Sequence, residues 1–116
     1  MQVNNIKNDS QEDIKLFEHM VSFKFNQKLN PQKEKQLMDT LKSFKDSIPG
    51  IVELTAGVNV TEETENIHGY TLGLRVTFTD IEALRQYGPH PVHQQFVKLL
   101  DGIIEEVVVM DYPITM

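Results

Sequence analysis

From Tyr70 to Phe78 the chain alternates without a break. Tyr70, Leu72, Leu74, Val76 and Phe78 fall on one side, and Thr71, Gly73, Arg75 and Thr77 on the other. A period of two gives a pleated strand one apolar face. On a helix the same residues would scatter around the circumference. The fold must therefore contain a sheet with one face against a core. Two further stretches repeat the pattern. His19, Val21, Phe23 and Phe25 alternate with Met20, Ser22 and Lys24. Between Ile51 and Val60, the residues Val52, Leu54, Ala56, Val58 and Val60 alternate with Glu53, Thr55 and Asn59. A fourth strand is expected from Glu106 to Tyr112. Its run Val107-Val108-Val109-Met110 is rich in β-branched residues and short enough for a buried strand.

Helical spacing separates these strands. Asn30-Pro31 is a start signal, a capping side chain followed by proline at the first helical position. Leu37, Met38, Leu41, Phe44 and Ile48 then recur at helical intervals, so a helix is expected from Pro31 to Asp46, stopped by Ile48-Pro49-Gly50. Thr61 to Gly69 reads as a polar loop. Thr79-Asp80-Ile81-Glu82 reads as a capping box with Thr79 as the cap, opening a short helix from Asp80 to Tyr87. Gly88-Pro89 breaks that helix, and Pro91 permits a new start that runs from Val92 to Leu100.

The order β-α-β-β-α-β predicts a ferredoxin-like α+β fold, with helices on one face of a four-stranded antiparallel sheet. The sheet's other face would mix polar and apolar rows. A homodimer that closes two sheets into a barrel would cover it and remove exposed edges. At 116 residues the chain is one domain. Met1 to Asp13 is polar and is expected to be a flexible tail (1–13), leaving 14–116 as the domain. The chain has no Cys and a net charge of −6. Acidity of that size opposes binding to nucleic acid or to anionic membranes. No signal-peptide pattern and no stretch of ~20 apolar residues is seen, so a cytoplasmic protein is expected.

The chemistry-bearing stretch is Tyr87-Gly88-Pro89-His90-Pro91-Val92-His93. Offsets of three, four and seven put His93 on one helix face with Phe96, Val97 and Leu100. His19 shares a strand face with Val21 and Phe23. A phenol and one or two imidazoles would thus converge in an apolar cleft between helices and sheet, the usual form of a small-molecule site. An imidazole there can exchange a proton near neutral pH, and a phenol can orient or polarise a carbonyl. His90 is read instead as the cap of the restarted helix, and His68 as a solvated loop residue. His90 and His93 lack a third metal ligand nearby, Glu62, Glu63 and Glu65 read as a solvated loop, and no glycine-rich phosphate loop occurs. Neither metal nor cofactor is expected.

The stretches His19 to Phe25, Ile48-Pro49-Gly50, Gly69-Tyr70-Thr71, Val76-Thr77-Phe78, Tyr87 to His93 with Phe96, and Val109 to Tyr112 together resemble the stress-responsive dimeric α/β-barrel (Dabb) family, over about His19 to Tyr112. The resemblance implies a ferredoxin-like protomer and a homodimeric barrel. It also implies that Tyr87 and His93 match the catalytic pair of a plant member that cyclises a linear polyketide. Two polar pocket residues of that member fall at Leu41 and Leu72, so the pocket expected here is more apolar. It would be lined by His19, Val21, Phe23, Leu41, Leu72, Leu74, Phe96 and Val97. Three readings follow: a binding protein for a small apolar or aromatic molecule, a cofactor-free cyclase, isomerase or lyase using His93 as base and Tyr87 as acid, or a structural dimer whose histidines only tie helix to sheet.

Overall fold

The structure is a computed structural model and describes residues 15–116. The expected tail, 1–13, lies outside the described residues. The elements are β1 (Phe17–Phe25), α1 (Pro31–Ser47), β2 (Ile51–Val58), a single 3-10 turn (Thr64–Asn66), β3 (Tyr70–Phe78), α2 (Ile81–Tyr87), α3 (Pro91–Leu99) and β4 (Ile104–Pro113). The four strands form one antiparallel sheet in the order β2-β3-β1-β4. This is the ferredoxin-like arrangement, with its second helix divided in two at Gly88-Pro89. Among the described residues no helix is long and apolar enough to cross a membrane.

Local chemistry accounts for the helix ends. The Asn30 side chain accepts from the Lys33 amide at 2.8 Å, and Pro31 occupies the first turn. At the far end, Gly50 takes φ +89°, and a Cβ there would lie 2.4 Å from that of Ala83. Only glycine lets the start of β2 turn that tightly against α2. The cap of α2 is Asp80, which accepts from the Ala83 amide at 2.8 Å, and not Thr79 as expected. A carboxylate and a hydroxyl one residue apart both satisfy the capping rule, and the sequence pattern does not choose between them.

The core lies between the helices and one sheet face. Leu37, Leu41 and Phe44 of α1 meet Val76 and Phe78 of β3, all five with no measurable exposure. Three departures from strict alternation matter. In the β2–β3 ladder Ile51 pairs with Phe78 and Glu53 with Thr77, so Val52 is an extra residue. This bulge turns Ile51 into the core and leaves Val52 exposed, correcting the expected face. Beyond Val58 the strand ends, and Val60 stands in solvent. A second irregularity pairs Phe23 with Leu72 but Lys24 with Tyr70. Tyr70 is thereby shifted out of the row of Leu72 and Leu74, and its hydroxyl donates to Glu106 at 2.7 Å.

The largest correction concerns β4. It was expected to be buried, yet it is an edge strand paired with β1 alone, and Val107 to Met110 are all exposed. Its β-branched run reflects two sheet faces that each need covering, one by the helices and one from outside the protomer.

Candidate functional site

The register of β1 and β4 builds the site. His19 pairs with Asp111, Val21 with Val109 and Phe23 with Val107, so these six side chains share the helix-facing side. Above them stand α2 and α3. The helices are short because Gly88 and Pro89 interrupt the chain between them, and His90 restarts it. The His90 Nδ1 accepts from the Val92 amide at 3.1 Å, with Pro91 in the first turn. That turn brings Tyr87, at the end of α2, and His93, in the first turn of α3, to the same place.

Between these helices and the β1–β4 half of the sheet lies a cleft of about 980 Å³. Its floor is Val21, Phe23, Leu74, Val107 and Val109; its roof includes Leu84, Phe96, Val97 and Leu100. Polar atoms converge at one end. The Tyr87 ring is central, with centroids 4.6 Å from His93, 5.2 Å from His19, 5.1 Å from Phe78 and 5.9 Å from Phe44. Tyr87 is only 3% exposed, and its hydroxyl finds no hydrogen-bond partner among the described residues. Burial raises its pKa, so the phenol remains an O–H donor throughout the physiological range.

The two imidazoles are held differently. His93 Nδ1–H donates to the Gly88 carbonyl at 2.9 Å, a carbonyl that also accepts from the Gln94 side chain at 2.7 Å. That bond fixes the neutral ring with its lone pair on Nε2. Burial lowers the His93 pKa. The Gly88 bond opposes this, while the nearby His19 and His90 add to it. His93 is therefore a neutral acceptor at pH 7. His19 instead donates from Nδ1 to the Asp111 carboxylate at 2.5 Å. The bond to the carboxylate fixes the orientation of the ring across the β1–β4 ladder.

Of the residues expected to line a pocket, the structure brings His19, Val21, Phe23, Leu74, Phe96 and Val97 to this cleft, together with Tyr87 and His93. It does not bring Leu41 or Leu72. Leu41 is sealed in the core beneath α1. Leu72 lies toward the far end of the sheet, beside a smaller hollow that Phe25, Leu29 and Val58 also line. His68 is exposed in the turn before β3, with φ +51°. Among the described residues no group of three or more His, Asp or Glu is placed to hold a metal ion.

The stress responsive A/B barrel domain family matches residues 17–114 of the chain. The protein belongs to that family. It is 26% identical to the olivetolic acid cyclase of Cannabis sativa over 94 residues, which is 81% of this chain and 92% of the cyclase. It is 30% identical to a stress-response A/B barrel domain-containing protein of Arabidopsis thaliana over 95 residues, 81% of this chain and 85% of that one. Among solved structures, a dimeric ferredoxin-like protein of unknown function from a Jannaschia species superposes with a TM-score of 0.72 at 25% identity. The match covers 85% of this chain and 99% of that one.

One polar member of this A/B barrel site was not picked out from the sequence. In the sequence Asp111 stands out only as part of the stretch Val109 to Tyr112. The signal that finds it is register. Once β1 and β4 are antiparallel neighbours with Val21 opposite Val109, the residue opposite His19 must be Asp111. Leu84, Val107 and Val109 were missed for the same reason, since they belong to the cleft only once β4 and α2 are placed.

Proposed function

We propose that this A/B barrel protein is a cytoplasmic homodimer that binds a small apolar or aromatic molecule in the helix–sheet cleft. The Tyr87 hydroxyl is the observation that carries the proposal. A buried hydroxyl without a partner costs about 1–3 kcal/mol. A bound molecule with an oxygen acceptor would offset that cost, while Val21, Phe23, Leu74 and Phe96 receive its apolar body. The dimeric state of the Jannaschia protein and the uncovered sheet face support the homodimer. The absence of Cys and the net charge of −6 suit a reducing compartment and disfavour nucleic acid and anionic membranes as partners.

Thermal-shift and amide NMR titrations against a panel of neutral aromatic ketones and aldehydes test this reading. The expected result is a raised melting temperature for at least one probe, with shifts confined to residues around Tyr87, Phe96 and Val109. If all probes leave both readouts flat at millimolar concentration, the reading fails.

A second reading has its own observation. His93 is a neutral base with a free Nε2, beside a phenol held neutral as an acid. Such a pair can take a proton from carbon next to a carbonyl while Tyr87 hydrogen-bonds the oxygen that gains charge. This would make the protein a cofactor-free cyclase, isomerase or lyase, and similarity to a cyclase supports it. The His93→Ala variant separates the readings. For an enzyme it keeps affinity for a bound ketone and loses turnover by about 10²-fold or more. For a binding protein there is no turnover to lose.

A further inference from the structure

The outward side of β4 continues a second surface. Val108, Met110 and Tyr112 alternate with the cleft residues Val107, Val109 and Asp111, and pair across the ladder with Ser22, Met20 and Glu18 of β1. Met110 is 62% exposed, and Met20, Val108 and Tyr112 stand out beside it. The Tyr112 hydroxyl lies 3.8 Å from the Met20 sulfur. Next to this apolar ridge the face is hollow. Gly73 pairs with both Ser22 and Gly57, nothing lies within 4 Å of where either glycine's Cβ would be, and a groove of about 450 Å³ runs there. A two-fold interface must present both knob and hole on one patch, and this patch does.

The charges on the face are partly paired, with acid in excess. Arg75 bridges Glu18 at 3.2 Å and Glu53 at 2.5 Å, and Thr77 donates to Glu18. Lys24 lies 3.4 Å from Glu105, and Glu106 accepts from Tyr70. The Arg75 cluster keeps one carboxylate in excess and Glu106 has only a phenol as its partner, so a seating centred on the apolar ridge must leave these acids at a solvated rim, because burying an unpaired charge is costly.

The consequence for the cleft lies in how β4 is held. Among the described residues its substantial packing is with β1 alone, because the cleft separates it from the helices. An edge strand held by one ladder opens more readily than a central one. We infer that the second copy of the chain seats on the ridge of Met20, Val108, Met110 and Tyr112, and that this seating fixes the β4 wall, so that Asp111 holds His19 in the cleft of each protomer. Assembly and site are then coupled through a single strand, one face of which meets the partner and the other the ligand. The inference rests on the homodimer reading above and adds the link to the site.

The test uses the wild-type chain, Met110→Leu and Met110→Glu, none of which alters a cleft residue. Mass is measured by light scattering, β4 opening by amide hydrogen exchange, and the His19–Asp111 bond by the low-field Nδ1 proton of His19 in NMR. The wild type and Met110→Leu are expected to be dimeric, with a protected Val107 to Asp111 and a visible His19 proton. Met110→Glu is expected to be monomeric, to exchange those amides faster by about tenfold or more, and to lose the proton signal. A wild-type dilution series through the dimer dissociation range should give the same change without substitution, which covers failure of Met110→Glu to fold. A monomer whose β4 stays protected and whose His19 proton persists overturns the coupling while leaving the dimer intact as a reading. A wild type that is monomeric at micromolar concentration overturns both.

Discussion

The layer between helices and sheet has two halves built from similar residues with opposite results. Under α1 the layer is solid. Leu37, Leu41 and Phe44 interlock with Val76 and Phe78, and none of the five is exposed. Under α2 and α3 the layer is hollow, and a cleft of about 980 Å³ remains. Apolar character does not separate them, since Val21, Phe23, Phe96 and Leu100 are as apolar as their neighbours. Geometry does. The 17-residue α1 lies unbroken across β2 and β3, whereas the second helical segment is cut into pieces of 7 and 9 residues. Valines and an aspartate on β4 are also too short to reach the roof. A long helix with large side chains fills its layer. Two short ones, interrupted at Gly88-Pro89 and facing small side chains, leave a site.

Phe44 sits on the boundary and gives the strongest way to break this contrast. Its ring lies 5.9 Å from each of Tyr87, His93 and Phe96. Phe44→Ala should cost about 3–5 kcal/mol by denaturant unfolding, as expected for a large buried aromatic. It should also merge the solid half with the hollow half, so that Tyr87 and His93 lose their backing. If the cost is below about 1 kcal/mol, the solid half is not what holds the site.

The solid half was also the legible half. The unbroken alternation of Tyr70 to Phe78, and the caps Asn30 and Pro31, are local signals that tertiary structure left nearly unchanged. Even there, the bulge at Val52 and the shift at Tyr70 moved side chains between faces, because one extra residue in a ladder is invisible to a count of two. The hollow half depended on long-range placement. The helical spacing of His93, Phe96 and Val97, the strand face of His19 and the capping role of His90 could be read from neighbours in sequence. Asp111 could not, since its partner His19 is 92 residues away. Leu41 and Leu72 were carried to the pocket by a family comparison. One is instead sealed beneath α1, and the other faces a different hollow, so only the register and the helix positions decide which half an apolar residue joins.

Tyr87 sharpens the contrast from the hollow side. In the solid half, removing atoms destabilises. At Tyr87, removing one oxygen should do the reverse. Tyr87→Phe deletes a buried hydroxyl without a partner, so the free protein is expected to gain up to about 1–2 kcal/mol in denaturant unfolding. Affinity for a ketone probe should fall about five- to tenfold, the value of one hydrogen bond. Stability gained and binding lost in the same variant would mark the residue as placed for a ligand. If stability is lost instead, the hydroxyl has a partner within the protomer or its mate, and it counts with the solid half.

The smallest expected effect is a pH dependence that belongs to the hollow half alone. His93 has its pKa lowered in the folded protein, by burial first and then by His19 and His90, against the bond from Gly88. The unfolded imidazole titrates at about 6.5. Above that value both states are neutral at this site and pH has no leverage. As pH falls through it, the unfolded chain takes up a proton that the folded chain resists. The slope of unfolding free energy with pH is then positive, and stability declines on acidification until the folded group also titrates. His93→Gln keeps a side-chain amide near the Gly88 carbonyl but cannot titrate, so its melting temperature should fall less than the wild type's between pH 7 and pH 5. In an enzyme the same proton would silence the base, and kcat/KM should drop over the lower part of that window. The variant and the wild type share His19, His90 and every carboxylate, so the difference between their two curves isolates one ring. Parallel curves would mean that His93 is as well solvated as a surface residue, and the end of the cleft where the polar atoms converge would then be open to water.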